Sequence, residues 1–220
     1  RLMPPTVLGV IPARGGSRGV PRKNIRPLAG RRFISWTIDA AKKSRLLTRT
    51  VVSTEDEEIA RVARECGGAV PFLRPAALAT DDAKTLPALV HALQAMESAE
   101  SRRYDYVLTL QPTSPFLLPE HVGALLDAMA RDGEARSGQT VVRCPHNHHA
   151  WNQREVVGGR VRFKFPAERA GAYNKQAKPV HYVFGNLVAA RASALLEGAG
   201  FFAEPSVAVE ISPPYDFDLD

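Results

Sequence analysis

The amino-acid sequence predicts a three-layer α/β protein in which a mostly parallel sheet lies between two layers of helices. Two observations predict this class: short apolar runs recur along the chain, and the segments between them carry apolar residues every three or four positions. Such alternation indicates strand–helix–strand crossover units, which place helices on both faces of a parallel sheet. The 220 residues can bury one core, so we expect a single domain over residues 1–220.

Each predicted strand is a short apolar run bounded by turn residues. The first run, residues 6–11, is continuously apolar and ends at Pro12, as expected for a buried parallel strand. The run at 106–110, Tyr-Val-Leu-Thr-Leu, has the same character and the strongest strand composition in the chain. The remaining runs predict strands at 50–53, 69–73, 139–142, 181–189 and 207–211.

The predicted helices lie between these runs. Residues Ile59, Val62, Ala63 and Cys66 follow the i, i+3, i+4, i+7 spacing of one helical face, and a Gly-Gly pair at 67–68 ends the helix. The same kind of spacing predicts the other helices, at 34–46, at 86–96, from about 119 to 129, and at 192–197.

The segment 146–179 interrupts the alternation, and we call it the arm. It contains Glu155–Phe163, in which two β-prone stretches flank Gly158 and Gly159, and this pattern predicts a β-hairpin with a Gly-Gly turn. His146, His148 and His149 also lie in the arm. The spacing of cysteines and acids around them does not complete a zinc site, so we assign them no metal.

The net charge of +6 points to anionic partners. Basic residues are spread along the chain, which disfavours a nucleic-acid surface, but one cluster falls within thirteen residues and suits a small, highly charged anion: Arg14, Arg18, Arg22, Lys23 and Arg26. Two cysteines, Cys66 and Cys144, cannot form a disulfide framework, so we expect the protein to be located in the reducing cytoplasm. No apolar run approaches the roughly 20 residues of a membrane span, and no signal peptide is expected.

The basic cluster belongs to a glycine-rich loop at residues 12–24, directly after the first strand. Open α/β sheets bind ligands at the carboxyl ends of their strands. Glycines at 15, 16 and 19 allow backbone N–H groups to approach an anion, and Ser17 adds a hydroxyl donor. The loop matches neither the G-x-x-x-x-G-K-[ST] nor the G-x-G-x-x-G pattern, which excludes a Walker A loop and disfavours a dinucleotide cofactor.

Two further segments carry candidate site residues. Gln111–Pro115 follows the strand at 106–110, and its two prolines would present Gln111 and Thr113 rigidly to a ligand; a plain structured turn is the alternative. At the end of the chain, acidic and apolar residues alternate, so a strand would place Asp216, Asp218 and Asp220 on one face. Carboxylates so arranged suit Mg²⁺ with substrate phosphates, unless the terminus is simply solvated.

The glycine-rich loop resembles that of the acylneuraminate cytidylyltransferases, which include the CMP-sialic acid synthetases and relatives acting on other nonulosonic acids. The resemblance continues in the same order through three more segments, at residues 52–56, 73–81 and 110–115. It implies a Rossmann-like nucleotidyltransferase fold, CTP as substrate, an acidic 2-keto sugar as acceptor and Mg²⁺ as cofactor. It also implies an arm that packs on a partner subunit, in a homodimer or a homotetramer.

The resemblance also assigns roles to single residues. Arg14, Lys23, Asp216 and Asp218 would be catalytic, and the two aspartates would hold Mg²⁺. The nucleotide would be bound by Arg14, Gly15, Gly16, Ser17, Arg18, Lys23, Asn24, Arg74 and Thr85. The acceptor sugar would be bound by Gln111, Thr113, Lys175 and Asn186. For Arg74 a surface ion pair is the alternative, and for Thr85 a helix N-cap.

One position departs from the sialate-type pattern. Val183 stands where those relatives carry an arginine, and a valine cannot bind the carboxylate of the sugar. This departure leaves the acceptor open between bacterial relatives of sialic acid, such as legionaminate, and another acidic sugar. Three other functions remain open on sequence: a sugar nucleotidyltransferase with another nucleotide or acceptor, a catalytically silent nucleotide-binding protein and, last, a nucleic-acid binder.

Overall fold

The computed structural model describes residues 4–16, 19–172 and 174–219, with Lys175 described only in its backbone. These ranges contain ten strands: β1 (Val7–Pro12), β2 (Pro27–Leu28), β3 (Arg31–Arg32), β4 (Arg49–Ser53), β5 (Tyr106–Leu110), β6 (Ser137–Arg143), β7 (Arg154–Val157), β8 (Arg160–Phe163), β9 (Tyr182–Arg191) and β10 (Ser206–Glu210). They also contain six α-helices: α1 (Phe33–Lys43), α2 (Glu57–Glu65), α3 (Thr85–Glu100), α4 (Pro119–Arg131), α5 (Pro166–Gly171) and α6 (Ala192–Leu196).

The main sheet has six strands in the order β10-β6-β9-β5-β1-β4. β4, β1 and β5 are mutually parallel, as are β6 and β10, and the predicted mostly parallel α/β class is confirmed. β9 alone runs antiparallel, between β5 and β6. It follows the arm rather than a simple crossover helix, so nothing in the connection forces it to be parallel.

The two faces of the sheet bury different helices. Along β1 successive side chains point to opposite faces, so Val7 and Ile11 join one apolar cluster whereas Leu8 and Val10 join the other. The first cluster includes the apolar faces of α1, α2 and α4, and the second includes those of α3 and α6. The predicted layers of helices on both faces are therefore confirmed. In the described part of the chain, none of these helices has the length and apolarity needed to traverse a bilayer.

The strand predicted at residues 69–73 is wrong, and the strand considered for the acidic end of the chain does not form in the described residues. Residues 69–73 run beside β4 with one backbone bond to it, from Val52 N to Ala69 O (2.8 Å), and a second bond lies just beyond both segments, from Arg74 N to Thr54 O (2.8 Å). Pro71 lacks the N–H that a ladder needs, which prevents a regular strand. The C-terminal segment also forms turns, with Tyr215 N bonded to Ser212 O, so its alternating aspartates do not lie on a strand.

The hairpin predicted within the arm is confirmed. β7 and β8 pair antiparallel, and the turn between them places Gly158 at φ 57° and Gly159 at φ 75°. Both angles fall in the left-handed region that glycine adopts without steric cost, so this two-residue turn requires the Gly-Gly pair. At the base of the arm, Asn152 Oδ1 accepts hydrogen bonds from Arg169 (2.5 Å) and Lys178 (2.7 Å).

Candidate active site

A cavity of about 390 Å³ opens at the carboxyl ends of β1 and β5. This is the edge at which parallel α/β sheets bind ligands, because the loops leaving neighbouring strands converge there. Seven residues selected from the sequence line this cavity together: Arg14, Lys23, Asn24, Arg74, Thr85, Gln111 and Thr113.

The glycine-rich loop begins as a continuation of β1, since Ala13 N donates to Ser53 O (3.0 Å) on β4. Two residues after Ala13, the carboxylate of Glu55 fixes the loop, because Gly15 N donates to Glu55 Oε1 (2.7 Å). A Cβ atom at Gly15 would lie 2.6 Å from Asp56 Oδ2, so a larger residue here would have to displace Asp56 or the loop. Ser17 and Arg18 lie outside the described residues, and Gly16 is exposed beside them.

Acidic and carbonyl groups of the protein hold the basic side chains around the loop. Arg14 donates to Thr80 O (2.9 Å) and lies 3.3 Å from an oxygen of Asp81. Arg22 forms ion pairs with Asp56 and Glu58, and its hydrogen bond to Asp56 raises the pKa of the guanidinium. The loop thus presents cations whose carboxylate partners are solvent-accessible, a kind of pair that contributes little net stability.

Lys23 and Asn24 lie in a short 3₁₀ turn, Lys23–Ile25, at the end of the loop. The Lys23 ammonium donates to the backbone oxygen of Leu219 (3.1 Å), which joins the loop to the C-terminal end of the described chain. Asn24 is buried and donates through Nδ2 to Arg14 O (3.1 Å). Asn24 therefore fixes the backbone at Arg14, and it is also one of the residues that line the cavity.

Arg74 is buried, and the surface ion pair considered from the sequence is not what the structure shows. Its guanidinium donates to the hydroxyl of Ser53 (3.1 Å) and to the Ser53 carbonyl. Burial lowers the pKa of Arg74, and the nearby Glu55 carboxylate acts in the opposite direction. Because Glu55 Oε2 is buried without a hydrogen-bond partner in the described structure, the site carries a buried cation beside an acceptor that is not fully satisfied.

The opposite wall comes from α3 and from the loop after β5. Thr85 is the first residue of α3 and Lys84 occupies the N-cap position, so the alternative role of Thr85 as an N-cap is not what the structure shows. Thr113 donates weakly to the side-chain oxygen of Gln111 (3.4 Å), and Thr113 O accepts from Leu219 N (2.9 Å). This loop therefore forms the cavity wall and also contacts the C-terminal end of the described chain.

The acidic segment, residues 212–219, ends beside the cavity without lining it. Asp216 is half-buried and Asp218 is exposed; Asp220 lies outside the described residues. Since Leu219 O bonds to Lys23, Asp218 lies one residue from a direct contact with the glycine-rich loop. The described residues contain no group of three potential metal ligands, but the carboxylate oxygens of Asp216 and Asp218 are of the kind that Mg²⁺ takes, since it binds one or two carboxylates and completes its shell with other oxygens.

One described residue that was predicted to bind the sugar is not among the residues that line the cavity. Asn186 is 1% exposed, and its amide bonds to protein groups, so the structure places it under the acidic segment rather than against a ligand. The Lys175 side chain lies outside the described structure. Val183, the departure from the sialate-type pattern, is exposed at 44%.

Sequence reasoning missed three groups that shape the site. Glu55 follows β4 in a segment that carried the family resemblance, which was a usable signal, but its bond to Gly15 depends on the parallel pairing of β1 with β4. Ser53 holds Arg74 because residues 69–74 run beside β4. His121, buried on α4 beneath the acidic segment, had no signal because it is a single histidine on a helical face.

Comparison with known proteins agrees with this architecture. A solved structure of CMP:2-keto-3-deoxy-manno-octonic acid synthetase complexed with CTP matches with a TM-score of 0.71 over 94% of this chain and 90% of that chain, at 17% identity. A likeness at this identity concerns the fold alone. The chain thus has the Rossmann-like α/β fold of that synthetase, with a cavity at the carboxyl ends of its strands.

Sequence comparison identifies the family. The cytidylyltransferase family model matches residues 8–158. The CMP-N,N'-diacetyllegionaminic acid synthase of Legionella pneumophila is 31% identical over 223 residues, covering 97% of this chain and 94% of that protein. A pseudaminic acid cytidylyltransferase of Campylobacter jejuni is 30% identical over 168 residues, covering 76% of this chain and 63% of that protein. The chain belongs to the cytidylyltransferase family, which confirms the resemblance found in its sequence.

Proposed function

We propose that the protein transfers CMP from CTP to the anomeric hydroxyl of an acidic 2-keto sugar of the nonulosonate class, with release of pyrophosphate. The observation that carries this proposal is the convergence of Arg14, Lys23, Asn24 and Arg74 on one cavity whose other wall is the Gln111–Thr113 loop. The names of the relatives, which refer to legionaminic and pseudaminic acids, support the acceptor class.

The basic residues suit a triphosphate. Arg14 and Lys23 bring two positive charges to the cavity beside the glycine-rich loop, and their carbonyl and carboxylate partners can be replaced by phosphate oxygens. Positioning and charge neutralisation provide most of the rate enhancement in phosphoryl transfer. We therefore assign Arg14 and Lys23 to the phosphates, with Gly15, Gly16, Ser17 and Arg18 as further donors from the same loop.

The nucleoside and the sugar would occupy the two ends of the cavity. Asn24, Arg74 and Thr85 together supply hydrogen-bond donors and acceptors. Both are needed to recognise the edge of a cytosine base and its ribose. Gln111 and Thr113 face the same space from the loop after β5 and would contact the sugar. Lys175 remains a candidate partner for the carboxylate of the sugar, and Val183 supports an acceptor other than sialic acid.

The reaction replaces the phosphoanhydride bond between the α- and β-phosphates of CTP with a phosphate ester bond to the sugar. The anomeric oxygen forms a bond to the α-phosphorus while the bond to the β-phosphate oxygen breaks, so pyrophosphate leaves and the hydroxyl proton passes to an acceptor oxygen. Asp216 and Asp218 would hold Mg²⁺, which when bound would neutralise phosphate charge. Lys23 would stabilise the negative charge that develops on the leaving group.

The direct test is pyrophosphate release by the purified protein, with four nucleoside triphosphates and a panel of 2-keto sugar acids. We expect release with CTP and with at least one nonulosonate, with the cytidine monophosphate ester of that sugar as product. Release with another triphosphate alone would indicate a different nucleotidyltransferase, and CTP binding without turnover on any acid would support a silent nucleotide-binding protein.

The variant Lys23→Ala tests the assigned chemistry. We expect kcat to fall by roughly 100-fold or more, because a charge that stabilises a developing negative charge is removed from a preorganised site. Lys43→Ala, at the end of α1, removes an exposed lysine of equal charge and serves as the control. Near-normal pyrophosphate release by the Lys23 variant would exclude this lysine from the mechanism.

A further inference from the structure

Asn186 is the centre of a buried polar network beneath the acidic segment. It lies on β9 and is 1% exposed. Its Nδ2 donates to Tyr215 O (2.9 Å) and to His121 Nδ1 (3.1 Å), and its Oδ1 accepts from the Thr140 hydroxyl (3.0 Å). Both amide hydrogens and the amide oxygen are therefore engaged, as expected for a buried amide in a stable arrangement.

An irregularity in the sheet orients this amide. The register between β6 and β9 shifts between Gln139 and Val141, and the fully buried Thr140 lies at the shift. The Thr140 hydroxyl accepts from Asn186 N and Leu187 N (2.9 Å each) while it donates to Asn186 Oδ1. Since Thr140 fixes the oxygen side of the amide, the Nδ2 side faces the acidic segment.

His121 completes the network from α4. Its ring is buried and packs edge-on against the ring of Tyr215, with the centroids 5.1 Å apart. Burial lowers the pKa of His121, which favours the neutral ring, and a neutral ring can accept the Asn186 hydrogen bond at Nδ1. Tyr215 is thus held through its backbone oxygen by Asn186 and through its ring by His121.

These contacts hold one end of a short stretch that carries both candidate metal ligands. Asn186 anchors Tyr215, and at the other end Leu219 is anchored through its N–H to Thr113 and through its carbonyl to Lys23. Asp216 and Asp218 lie between these two anchors. The anchor at Leu219 is formed by Thr113 and Lys23, which line the cavity. The anchor at Tyr215 is formed by the buried amide of Asn186, which lies on a strand of the main sheet.

We infer that Asn186 is a positioning residue, which holds residues 212–219 so that Asp216 and Asp218 can bind a divalent cation at the phosphate site. The inference rests on the proposed function, because that function supplies the phosphates that would bind the cation together with Asp216 and Asp218. It replaces the direct contact with the sugar that the sequence predicted for Asn186. Residues that orient metal ligands typically change metal affinity or activity by about 10–100-fold when they are removed.

The test compares Asn186→Ala with Asn152→Ala, which removes another buried, fully hydrogen-bonded asparagine from the arm. Hydrogen–deuterium exchange of a peptide covering 212–219, without metal, should become at least about tenfold faster in Asn186→Ala and stay at the wild-type rate in Asn152→Ala. The Mg²⁺ concentration for half-maximal pyrophosphate release should rise about 10–100-fold in the first variant only, and saturating Mg²⁺ should restore most of kcat.

His121→Phe keeps an aromatic ring against Tyr215 but removes the Nδ1 acceptor, and we expect smaller shifts in the same directions. It also keeps the inference testable if Asn186→Ala does not fold. Unchanged exchange and an unchanged Mg²⁺ titration in every folded variant would overturn the inference. If the wild-type protein released no pyrophosphate, the proposed function would fail, whereas the exchange experiment would still report whether Asn186 holds the segment.

Discussion

The donors expected to bind phosphate are occupied by the protein's own oxygens. Gly15 N–H bonds to a carboxylate oxygen of Glu55, and Arg14 bonds to Thr80 O with Asp81 at 3.3 Å. The Arg14 and Asp81 side chains are 35% and 41% exposed, so water already weakens their attraction. A triphosphate could therefore replace the partners of Arg14 at low cost, because it offers more charge and more acceptor oxygens than the Asp81 carboxylate and the Thr80 carbonyl.

Gly15 offers a steric test of the loop. In Gly15→Ala the new Cβ would meet Asp56 Oδ2 at 2.6 Å, so either the loop or Asp56 must move. We expect the Kd for CTP to rise at least about tenfold and the free energy of unfolding to fall by about 1–3 kcal/mol, as in other overpacked sites. Isothermal titration and urea unfolding measure the two effects.

The matched control is Gly133→Ala, because a Cβ at Gly133 meets nothing within 4 Å. This variant should bind CTP like the wild-type protein and unfold within about 0.5 kcal/mol of it. If Gly15→Ala also binds CTP with wild-type affinity, close approach of the backbone at Gly15 is not required for binding.

Among the elements, those with a strong apolar period were predictable, and those set by tertiary partners were not. β1, β5 and α4 follow directly from their side-chain pattern, because burial alone selects it. Residues 69–73 have a strand-like composition, but Pro71 prevents regular pairing. Seven residues lining the cavity were predictable because they lie in or next to loops at strand ends, whereas the buried network around Asn186 was not, because its partners come from two other elements and the acidic segment.

The start of α2 leads to a prediction about pH. Asp56 accepts from Glu58 N (2.9 Å) and Ile59 N (3.0 Å) as the helix N-cap, and it pairs with Arg22. Burial alone would raise the pKa of Asp56, but the bond from Arg22 and these two N–H groups lower it below its ordinary value of 3.8. A lowered pKa stabilises the fold above the unfolded-state value, about 3.9, and this contribution disappears as the pH falls through the folded-state value.

Asp56→Asn tests this linkage, because asparagine also caps helices well and the substitution removes mainly the charge. The variant should be less stable than the wild-type protein at pH 7, and the difference should shrink as the pH falls below about 4. Urea unfolding from pH 7 to pH 3 measures it. Asp132→Asn, at a carboxylate that also accepts two backbone N–H bonds, is the control. A difference between Asp56→Asn and wild type that is constant with pH would contradict the prediction.

On the scale of the whole molecule, the walls of the cavity are built without the hairpin, and the hairpin exposes apolar side chains to solvent. The cavity is built by the six-stranded sheet and needs nothing from the β7–β8 ribbon for its walls. The ribbon exposes valine side chains to an unusual degree, with Val156 at 69%, Val161 at 65% and Val157 at 52%. An isolated two-stranded hairpin is marginal in water, so exposed apolar side chains on it favour an intermolecular contact.

The predicted contact is with a second copy of the chain. Val156 and Val161 face each other across the two strands, so Val156→Glu combined with Val161→Glu places two charges at one point of the ribbon. We expect the wild-type protein to sediment as a dimer or tetramer and the double variant to shift towards monomer with an unchanged circular dichroism spectrum, because burying two like charges opposes association. Leu46→Glu, which adds a charge at another exposed apolar residue, should leave the assembly intact. Identical sedimentation of wild type and double variant would show that this face of the hairpin does not hold subunits together.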